Sequence, residues 1–382
     1  MATSRKGSKV QSKIQMVLFG EPFTGKSTIA LQLMYLKRPD GKPFRVLYID
    51  AESGSVDDYL EGIESDGVDL DNLYIVYTQS LKETKELIRK ATNREPFYLY
   101  DDEGEETDEV VLDADGEPFA PDAIVVDGTT VLNVATKQGL VEFSKKRAKV
   151  KAEREGLIGD EKFVKIEGAS LELKDWSTIS FSGNDLILSL TGSSLHYIVT
   201  ARETDEKITK EINGKDVTVA TGRKIPEGFK QMDYNAKTVC RMYREDGVVK
   251  MEVRKDRTGI WTEGEVVEDP TLLDCQKVID KTSKYKKFVI NNNLHEAIIN
   301  EMKEVERDAL HVYEDEEKRQ EEVGSVPSVE ALQSEISNRI KNFKTATEKA
   351  QAKQKLVEAG LPTNTKAVTD VEVLKKILQV LS

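Results

Sequence analysis

The chain has 382 residues and a net charge of −13, and 38% of its residues are hydrophobic. This length allows a large buried core and two or three domains, and the composition excludes a disordered or fibrous chain. Two cysteines and three scattered histidines offer no disulfide framework and no metal-ligand spacing. Residues 1–13 are polar and basic, and no apolar run approaches a membrane span, so we expect a cytoplasmic protein without a membrane partner.

The first predicted strand, residues 14–19, runs into a glycine-containing loop that opens a predicted helix at 29–36. A strand, this loop pattern and a helix together are typical of a phosphate-binding loop. Lys26 is expected to reach the β- and γ-phosphates, and the Ser27 hydroxyl to bind Mg²⁺. The predicted nucleotide-binding residues are Gly20, Glu21, Pro22, Phe23, Thr24, Gly25, Lys26, Ser27 and Thr28.

Alternating strands and helices follow the loop. The predicted strands are 45–50, 73–77 and 123–127, and the predicted helices lie near 57–63 and at 81–91. Residues 46–49 and 124–126 are continuously apolar, which is typical of strands buried on both faces of a parallel sheet. The pattern therefore predicts an α/β fold with a central, mostly parallel sheet.

Residues 92–121 carry most of the negative charge. Eleven acidic residues stand there against one arginine, a balance of −10, so the remainder of the chain carries only −3. Net charge therefore does not exclude a nucleic-acid partner. Two apolar runs flank acidic, glycine-containing turns in this segment, and this pattern predicts an inserted β-hairpin. The alternative is a solvent-exposed segment without a function.

Carboxylates follow two of the predicted strands. Asp127 ends the strand 123–127 and is predicted to hold Mg²⁺ through water. Glu52 lies just beyond the strand 45–50, where ligands gather in such sheets, and is the candidate base that activates water. Asp50 is its rival, and each carboxylate could instead cap a following helix.

The second half of the chain mixes helices with a further β-hairpin. We predict a charged helical region at 136–176, a helix at 186–191, and strands at 195–200, 238–243 and 248–253. The core is expected to close near Pro270, followed by a hinge at 321–328 and a capping box at 369–372 that opens a last helix. The predicted domains are a core at 1–270 with its insertion at 92–121, a helical linker at 271–328, and a small helical region at 329–382.

Three segments resemble their equivalents in the RecA family of recombinase ATPases. They are residues 49–52 (Ile-Asp-Ala-Glu), 68–73 (Val-Asp-Leu-Asp-Asn-Leu) and 124–127 (Ile-Val-Val-Asp), in matching order and spacing. The resemblance covers roughly residues 14–260 and is strongest to phage-encoded RecA-core ATPases of recombination and single-strand annealing. It implies a RecA-like P-loop ATPase, with ATP and Mg²⁺ as cofactors and single-stranded DNA as partner.

The resemblance also implies an assembly and a set of catalytic residues. Subunits would form a ring or filament with ATP sites between neighbours, in the cytoplasm of a bacterial host if the protein is phage-encoded. Glu52 matches the catalytic glutamate, and Lys255 with Arg257 matches the basic pair donated to the neighbouring subunit's phosphates. Thr200 and Arg202 lie where the family's γ-phosphate sensor ends a strand; the family usually has an amide there, so Arg202 is the alternative to Thr200.

Two basic stretches are candidates for DNA contact on this resemblance. Residues 145–154 contain six basic residues and one acid, and residues 203–233 form a predicted flexible loop with spaced lysines. Spaced cations suit sequence-independent phosphate contact, although a charge run on a helix is often only a solvated face. A single-strand-binding or annealing protein is a further candidate partner.

Two other functions remain open for the same residues. One is a hexameric helicase or translocase motor, which would share the ATP site. The other is a non-hydrolysing nucleotide switch that recruits partners through the C-terminal helices and the acidic insertion.

Overall fold

The computed structural model describes residues 12–54, 56–212, 215–230, 232–283, 301–303 and 328–381. The chain divides into two compact units between Ala297 and Ile298. Within the described ranges, no helix combines the length and the apolar character needed to cross a membrane. The predicted hinge at 321–328 lies outside these ranges except for its last residue.

Eleven strands are present in the described part of the first unit. They are β1 Gln15–Gly20, β2 Val46–Asp50, β3 Leu73–Tyr77, β4 Tyr98–Tyr100, β5 Glu106–Val110, β6 Ala123–Asp127, β7 His196–Ile212, β8 Lys215–Pro226, β9 Thr238–Glu245, β10 Val248–Asp256 and β11 Val266–Glu268. Nine of them form one sheet in the order β11-β10-β9-β1-β7-β6-β2-β3, with β8 paired to β7.

Helices cover both faces of this sheet. In the first unit they are α1 Lys26–Leu31, α2 Asp57–Ser65, α3 Leu81–Asn93, α4 Thr129–Arg154, α5 Gly159–Glu167, α6 Leu173–Gly192, α7 Met232–Asn235 and α8 Gln276–Ser283. In the second unit they are α9 Val329–Asn342, α10 Ala346–Glu358 and α11 Val371–Val380.

The centre of the sheet is parallel and buried on both sides. Strands β3, β2, β6, β7, β1 and β9 pair in parallel, and β10 and β11 add an antiparallel edge. Alternate side chains enter two separate apolar layers, as Leu47 and Tyr48 of β2 do. The predicted α/β class with a mostly parallel central sheet is confirmed.

The helix after β1 is shorter than predicted. The α-helical part ends at Leu31, and residues Gln32–Tyr35 continue as a 3-10 helix. The Gln32 side-chain oxygen accepts a hydrogen bond from the Leu272 backbone N–H at 2.7 Å. A contact with a residue 240 positions away therefore anchors the tightened turn, which local periodicity does not reveal.

The acidic insertion is an antiparallel hairpin, as predicted. Strands β4 and β5 form their own two-stranded sheet. Phe97 and Phe119, on either side of the hairpin, pack edge-on against Tyr74 of β3 with ring centroids 5.8 Å away. Arg45 also pairs with Asp113 at 3.2 Å. Aromatic packing and an ion pair thus fix the base of the hairpin to the core.

The apolar core continues past Pro270. Leu272, Cys275, Val278 and Ile279 are buried in the same layer as Val46. The region around α8 therefore packs on the sheet.

The second unit has a small core of its own. Leu332 and Ile336 of α9 pack with Leu356 of α10 and with Leu374 and Ile377 of α11. The last helix begins where predicted, but the predicted capping box is wrong. The cap is Asp370, whose carboxylate accepts the backbone N–H groups of the second and third helical residues.

A buried histidine is expected to make the fold acid-sensitive. His196 Nδ1 accepts the Ile14 N–H at 3.1 Å, and burial, followed by the nearby Lys13 and Lys237, holds its pKa well below 6.5. The folded state keeps this ring neutral while the unfolded chain binds a proton below pH 6.5. Its contribution to stability is therefore complete above that pH and is lost as pH falls below it.

The test compares urea unfolding of the parent and His196→Asn, which keeps an acceptor but does not titrate. Between about pH 7.5 and about pH 5.5 the parent should lose roughly 1 kcal/mol more unfolding free energy than the variant. Equal losses in both proteins would contradict the role of His196.

Candidate nucleotide-binding site

The predicted phosphate-binding loop links β1 to α1. A Cβ on Gly20 would lie 1.8 Å from the Met242 carbonyl oxygen of the adjacent strand β9, so only glycine fits there. Gly25 has a φ of 79° and is the N-cap of α1, which begins at Lys26. The loop therefore turns back against the sheet and presents the start of the helix at the sheet's carboxyl edge.

Lys26 folds over the loop. Its Nζ donates to the Glu21 carbonyl oxygen at 2.5 Å and to the Gly20 carbonyl oxygen at 3.4 Å. Burial lowers the pKa of Lys26, and the negative charges of Glu52 and Asp127 oppose that effect. The ammonium is thus held close to two carboxylates at a partly buried position, where a phosphate would be a strong additional partner.

The outer part of the loop holds an exposed aromatic residue. Phe23 is 91% exposed and has a φ of 59°, which is unusual for a bulky side chain. Arg244 of β9 donates to the Phe23 carbonyl oxygen at 3.2 Å. Sequence reasoning missed Arg244, which lies far from the loop in the chain and carries no motif.

Asp127 is buried and tightly held. The Tyr48 hydroxyl donates to its Oδ2 at 2.5 Å, and the Thr200 hydroxyl donates to its Oδ1. Thr200 Oγ1 also accepts the Gly128 N–H at 2.8 Å. The Thr200 hydroxyl thus positions Asp127 instead of facing outward, which argues against Thr200 as a phosphate sensor.

Tyr48 was not identified from the sequence. The available signal was its place within a continuously buried strand, because a buried tyrosine hydroxyl must find a hydrogen-bond partner. Which carboxylate it meets depends on the pairing of β2 with β6.

The two candidate bases are in different environments. Asp50 is fully buried and accepts three backbone N–H groups at 2.8 to 3.0 Å, from Glu52, Ser53 and Gly54. Glu52 is 33% exposed, and its Oε1 accepts from Arg202 Nη2 at 3.2 Å and Nε at 3.3 Å. Asp50 therefore shapes the loop after β2, whereas the Glu52 side chain is placed to meet a ligand.

Strand register brings these groups to one edge. Gly20 of β1 pairs with Arg202 of β7, and Asp50 of β2 pairs with Asp127 of β6. All four strands are parallel, so their carboxyl ends meet on the same side. The structure thus places the loop, Asp127, Glu52 and Arg202 at the carboxyl edge of the sheet.

Gly128 makes room for Glu52. A Cβ on Gly128 would lie 2.6 Å from Glu52 Cγ, and its φ of 94° disfavours other residues. We expect Gly128→Ala to displace Glu52 and to cost about 1–2 kcal/mol of stability. The matched control is Gly139→Ala in α4, where a Cβ meets nothing within 4 Å and helix propensity improves.

Urea unfolding of the two glycine variants checks this prediction. Gly128→Ala should lose stability, and Gly139→Ala should not. Parent-like stability of Gly128→Ala would contradict a tight contact between Gly128 and Glu52.

Lys255 and Arg257 lie at the opposite edge. Asp256 of β10 pairs with Thr238 of β9, and Thr238 pairs with Met16 near the start of β1. Gly20, at the other end of β1, pairs with Met242. Four residues of β9 therefore separate the level of Lys255 and Arg257 from the level of the phosphate loop, which is about 13 Å along the strand.

The two basic residues have different surroundings. Lys255 Nζ donates to the carbonyl oxygens of Tyr234 at 2.7 Å and of Asp233 at 3.1 Å. Burial and then the charge of Arg257 lower the pKa of Lys255. Arg257 is exposed, and no ion pair of its guanidinium is present within the described residues. The pair does not join the site of its own subunit.

Mg²⁺ would have few protein ligands at the carboxyl edge. Within the described residues, no group of three or more His, Cys, Asp or Glu side chains could hold a metal ion. The Ser27 hydroxyl and the Asp127 carboxylate nevertheless fit the ion in part, because Mg²⁺ is bound by oxygen ligands of this kind. Such a site needs phosphate oxygens to complete the ligand set.

The first predicted DNA-binding stretch lies on a helix, as the predicted helical region at 136–176 implies. Residues 145–154 belong to α4, and several of their cations are neutralised. Lys145 pairs with Glu167 at 2.9 Å, and Arg147 pairs with Asp175 at 2.5 Å. This stretch therefore offers less free positive charge than its sequence suggests.

The second predicted stretch is a β-ribbon rather than a flexible loop. Strands β7 and β8 pair from Glu203–Pro226 out to Ile212–Lys215, beyond the end of the central sheet. Directly paired β-branched residues, such as Ile208 with Val219, favour this structure. Lys224 pairs with Asp205 at 3.0 Å, so part of the ribbon's charge is also neutralised.

These features define an α/β protein with a candidate phosphate site at the carboxyl edge of a mostly parallel sheet. No family model matches the chain, and a search of curated proteins finds no significant match. Among solved structures, the chain is similar to a RadB recombinase, with 15% sequence identity and a TM-score of 0.35. That alignment covers 67% of this chain and 87% of the recombinase.

Proposed function

We propose that this protein is a RecA-like ATPase that acts on single-stranded DNA in phage-type recombination or strand annealing, with ATP and Mg²⁺ as cofactors. The observation that carries the proposal is the grouping of Lys26, Asp127 and Glu52 at one edge of the sheet. A phosphate loop with one buried and one accessible carboxylate suits hydrolysis of a triphosphate.

Each residue of this group has a chemical role in the proposal. Backbone N–H groups of the loop and Lys26 bind the phosphates, and Ser27 with Asp127 would hold Mg²⁺. The ion, when bound, neutralises charge on the phosphate oxygens. Glu52 orients the attacking water and accepts its proton.

Arg202 is the candidate sensor of the terminal phosphate. Its guanidinium contacts Glu52, and its backbone pairs with Gly20 of the loop. A terminal phosphate would compete with Glu52 for the guanidinium and leave the carboxylate free to act on water. This exchange would couple nucleotide binding to activation of the base.

Lys255 and Arg257 are proposed to act in a neighbouring subunit. Their place at the far edge of the sheet supports action on the site of another subunit. In a ring or filament, the exposed Arg257 could reach the neighbour's phosphates and stabilise the charge of the transition state. Hydrolysis would then require assembly.

The DNA part of the proposal is tested by measuring ATP turnover at increasing concentrations of single-stranded DNA. We expect turnover to rise to a plateau, and DNA binding to weaken steeply with salt. Unchanged turnover together with the absence of salt-sensitive binding would contradict the DNA role. Strand displacement on a forked duplex would favour the helicase or translocase instead.

A further inference from the structure

The C-terminal part of the second unit, residues 328–381, has the opposite charge to the rest of the chain. Residues 328–381 contain nine basic and six acidic residues, a net charge of +3 in a chain of −13. The unit has its own apolar core, so these charges belong to a folded surface.

Most of these cations have no acidic partner among the described residues. Arg339 pairs with Glu335 and Lys375 pairs with Glu372. In the described part of the chain the other seven form no ion pair and are exposed: Lys341, Lys344, Lys349, Lys353, Lys355, Lys366 and Lys376. Lys145 and Arg147 of α4 differ from these seven lysines, because both already form ion pairs with carboxylates.

Helix α10 presents two of the unpaired lysines side by side. Lys349 and Lys353 are one turn apart, about 6 Å along the axis, and therefore share a face. The fully buried residue of this helix is Leu356, and the lysine side chains are in solvent. Lys341 and Lys344 precede the same helix closely in the chain, and both are exposed.

We propose that this lysine surface of the second unit, formed by Lys349 and Lys353 with Lys341 and Lys344 nearby, binds the phosphate backbone of a nucleic acid. Unpaired, exposed cations release counterions from phosphates without first breaking an ion pair, and this favours phosphate contact. The site goes beyond the proposed ATP-dependent function, since it requires neither nucleotide nor a completed ATP site.

The experiment uses the full-length, nucleotide-free protein and fluorescence anisotropy of a labelled oligothymidylate, with a duplex of equal length as a second probe. The test variant is Lys349→Gln with Lys353→Gln. The matched control is Lys277→Gln with Lys375→Gln, which changes the net charge equally but removes lysines paired with Asp274 and Glu372.

We expect the test variant to bind the single strand about three- to tenfold more weakly, with a salt slope reduced by about 1.4. The control should bind like the parent. A larger loss on the duplex than on the single strand would identify double-stranded nucleic acid as the ligand of this surface.

Two results would overturn the proposal. Equal affinities of the test and control variants would show that local lysines do not matter beyond net charge. Unchanged DNA affinity with a lower sedimentation mass would assign the surface to contact between copies of the chain. Repeating the titration with Lys26→Ala separates this site from the ATPase proposal, because the lysine surface should bind nucleic acid even if that variant has no turnover.

Discussion

Replacement of Glu52 by Gln is expected to lower ATP turnover by about 10²- to 10⁴-fold while ATP binding is retained. Gln keeps the size and hydrogen-bonding capacity of the side chain but cannot accept a proton from water. The Glu52 carboxylate is partly exposed, and its Oε1 accepts hydrogen bonds from Arg202 at 3.2 and 3.3 Å. The loss should therefore appear in kcat and leave nucleotide affinity close to that of the parent.

Steady-state ATP turnover measures kcat, and equilibrium binding of a fluorescent ATP analogue measures nucleotide affinity. The control is Asp50→Asn, which weakens the three hydrogen bonds that Asp50 accepts from backbone N–H groups. This variant should lower the free energy of unfolding by about 1–3 kcal/mol. Full turnover in Glu52→Gln would exclude Glu52 as the base. Negligible turnover in the parent itself would favour the nucleotide switch.

A mixture of Arg257→Ala and Lys26→Ala proteins is expected to recover activity that neither variant has alone. The Arg257→Ala subunit keeps an intact phosphate loop, and the Lys26→Ala subunit keeps Arg257. If Arg257 acts on the neighbouring site, an interface that combines these two contains a complete ATP site. Random equimolar mixing should complete about one quarter of the interfaces and restore about that fraction of turnover. Each variant alone should fall by about 10³-fold or more.

A second mixture provides the matched control for this experiment. Lys26 and Glu52 lie at the same edge of one subunit, where the negative charge of Glu52 acts on the pKa of Lys26. Mixing Lys26→Ala with Glu52→Gln should therefore restore little turnover, since no interface gains a complete site. Recovery in both mixtures, or in neither, would contradict action of Arg257 across the interface.

Local sequence patterns predicted the parts of the fold that depend on neighbouring residues. Continuously apolar runs identified β2 and β6, because strands inside a parallel sheet are buried on both faces. The spacing of glycine, lysine and serine after β1 predicted the loop, and the acidic turns predicted the β4–β5 hairpin. Each of these features depends on residues that lie within a few positions of one another in the sequence.

Other expectations failed because their outcome depends on distant contacts. The stretch at 145–154 looks strongly basic, yet its Arg147 contacts Asp175, 28 residues away. The stretch at 203–233 was expected to be mobile, yet cross-strand pairing makes it a ribbon. Charge and composition describe a segment alone, whereas pairing decides how much of that charge is free.

The sequence by itself determined an α/β chain with a phosphate-loop pattern, an acidic hairpin and helical C-terminal residues. Only the tertiary structure distinguished the loop-shaping Asp50 from the accessible Glu52, and placed Lys255 and Arg257 at the far edge of the sheet. Asp127 acquires its partners Tyr48 and Thr200 from positions 79 and 73 residues away. Hydrogen bonds between such distant residues form only when the strands pair, so their roles follow from strand order and register.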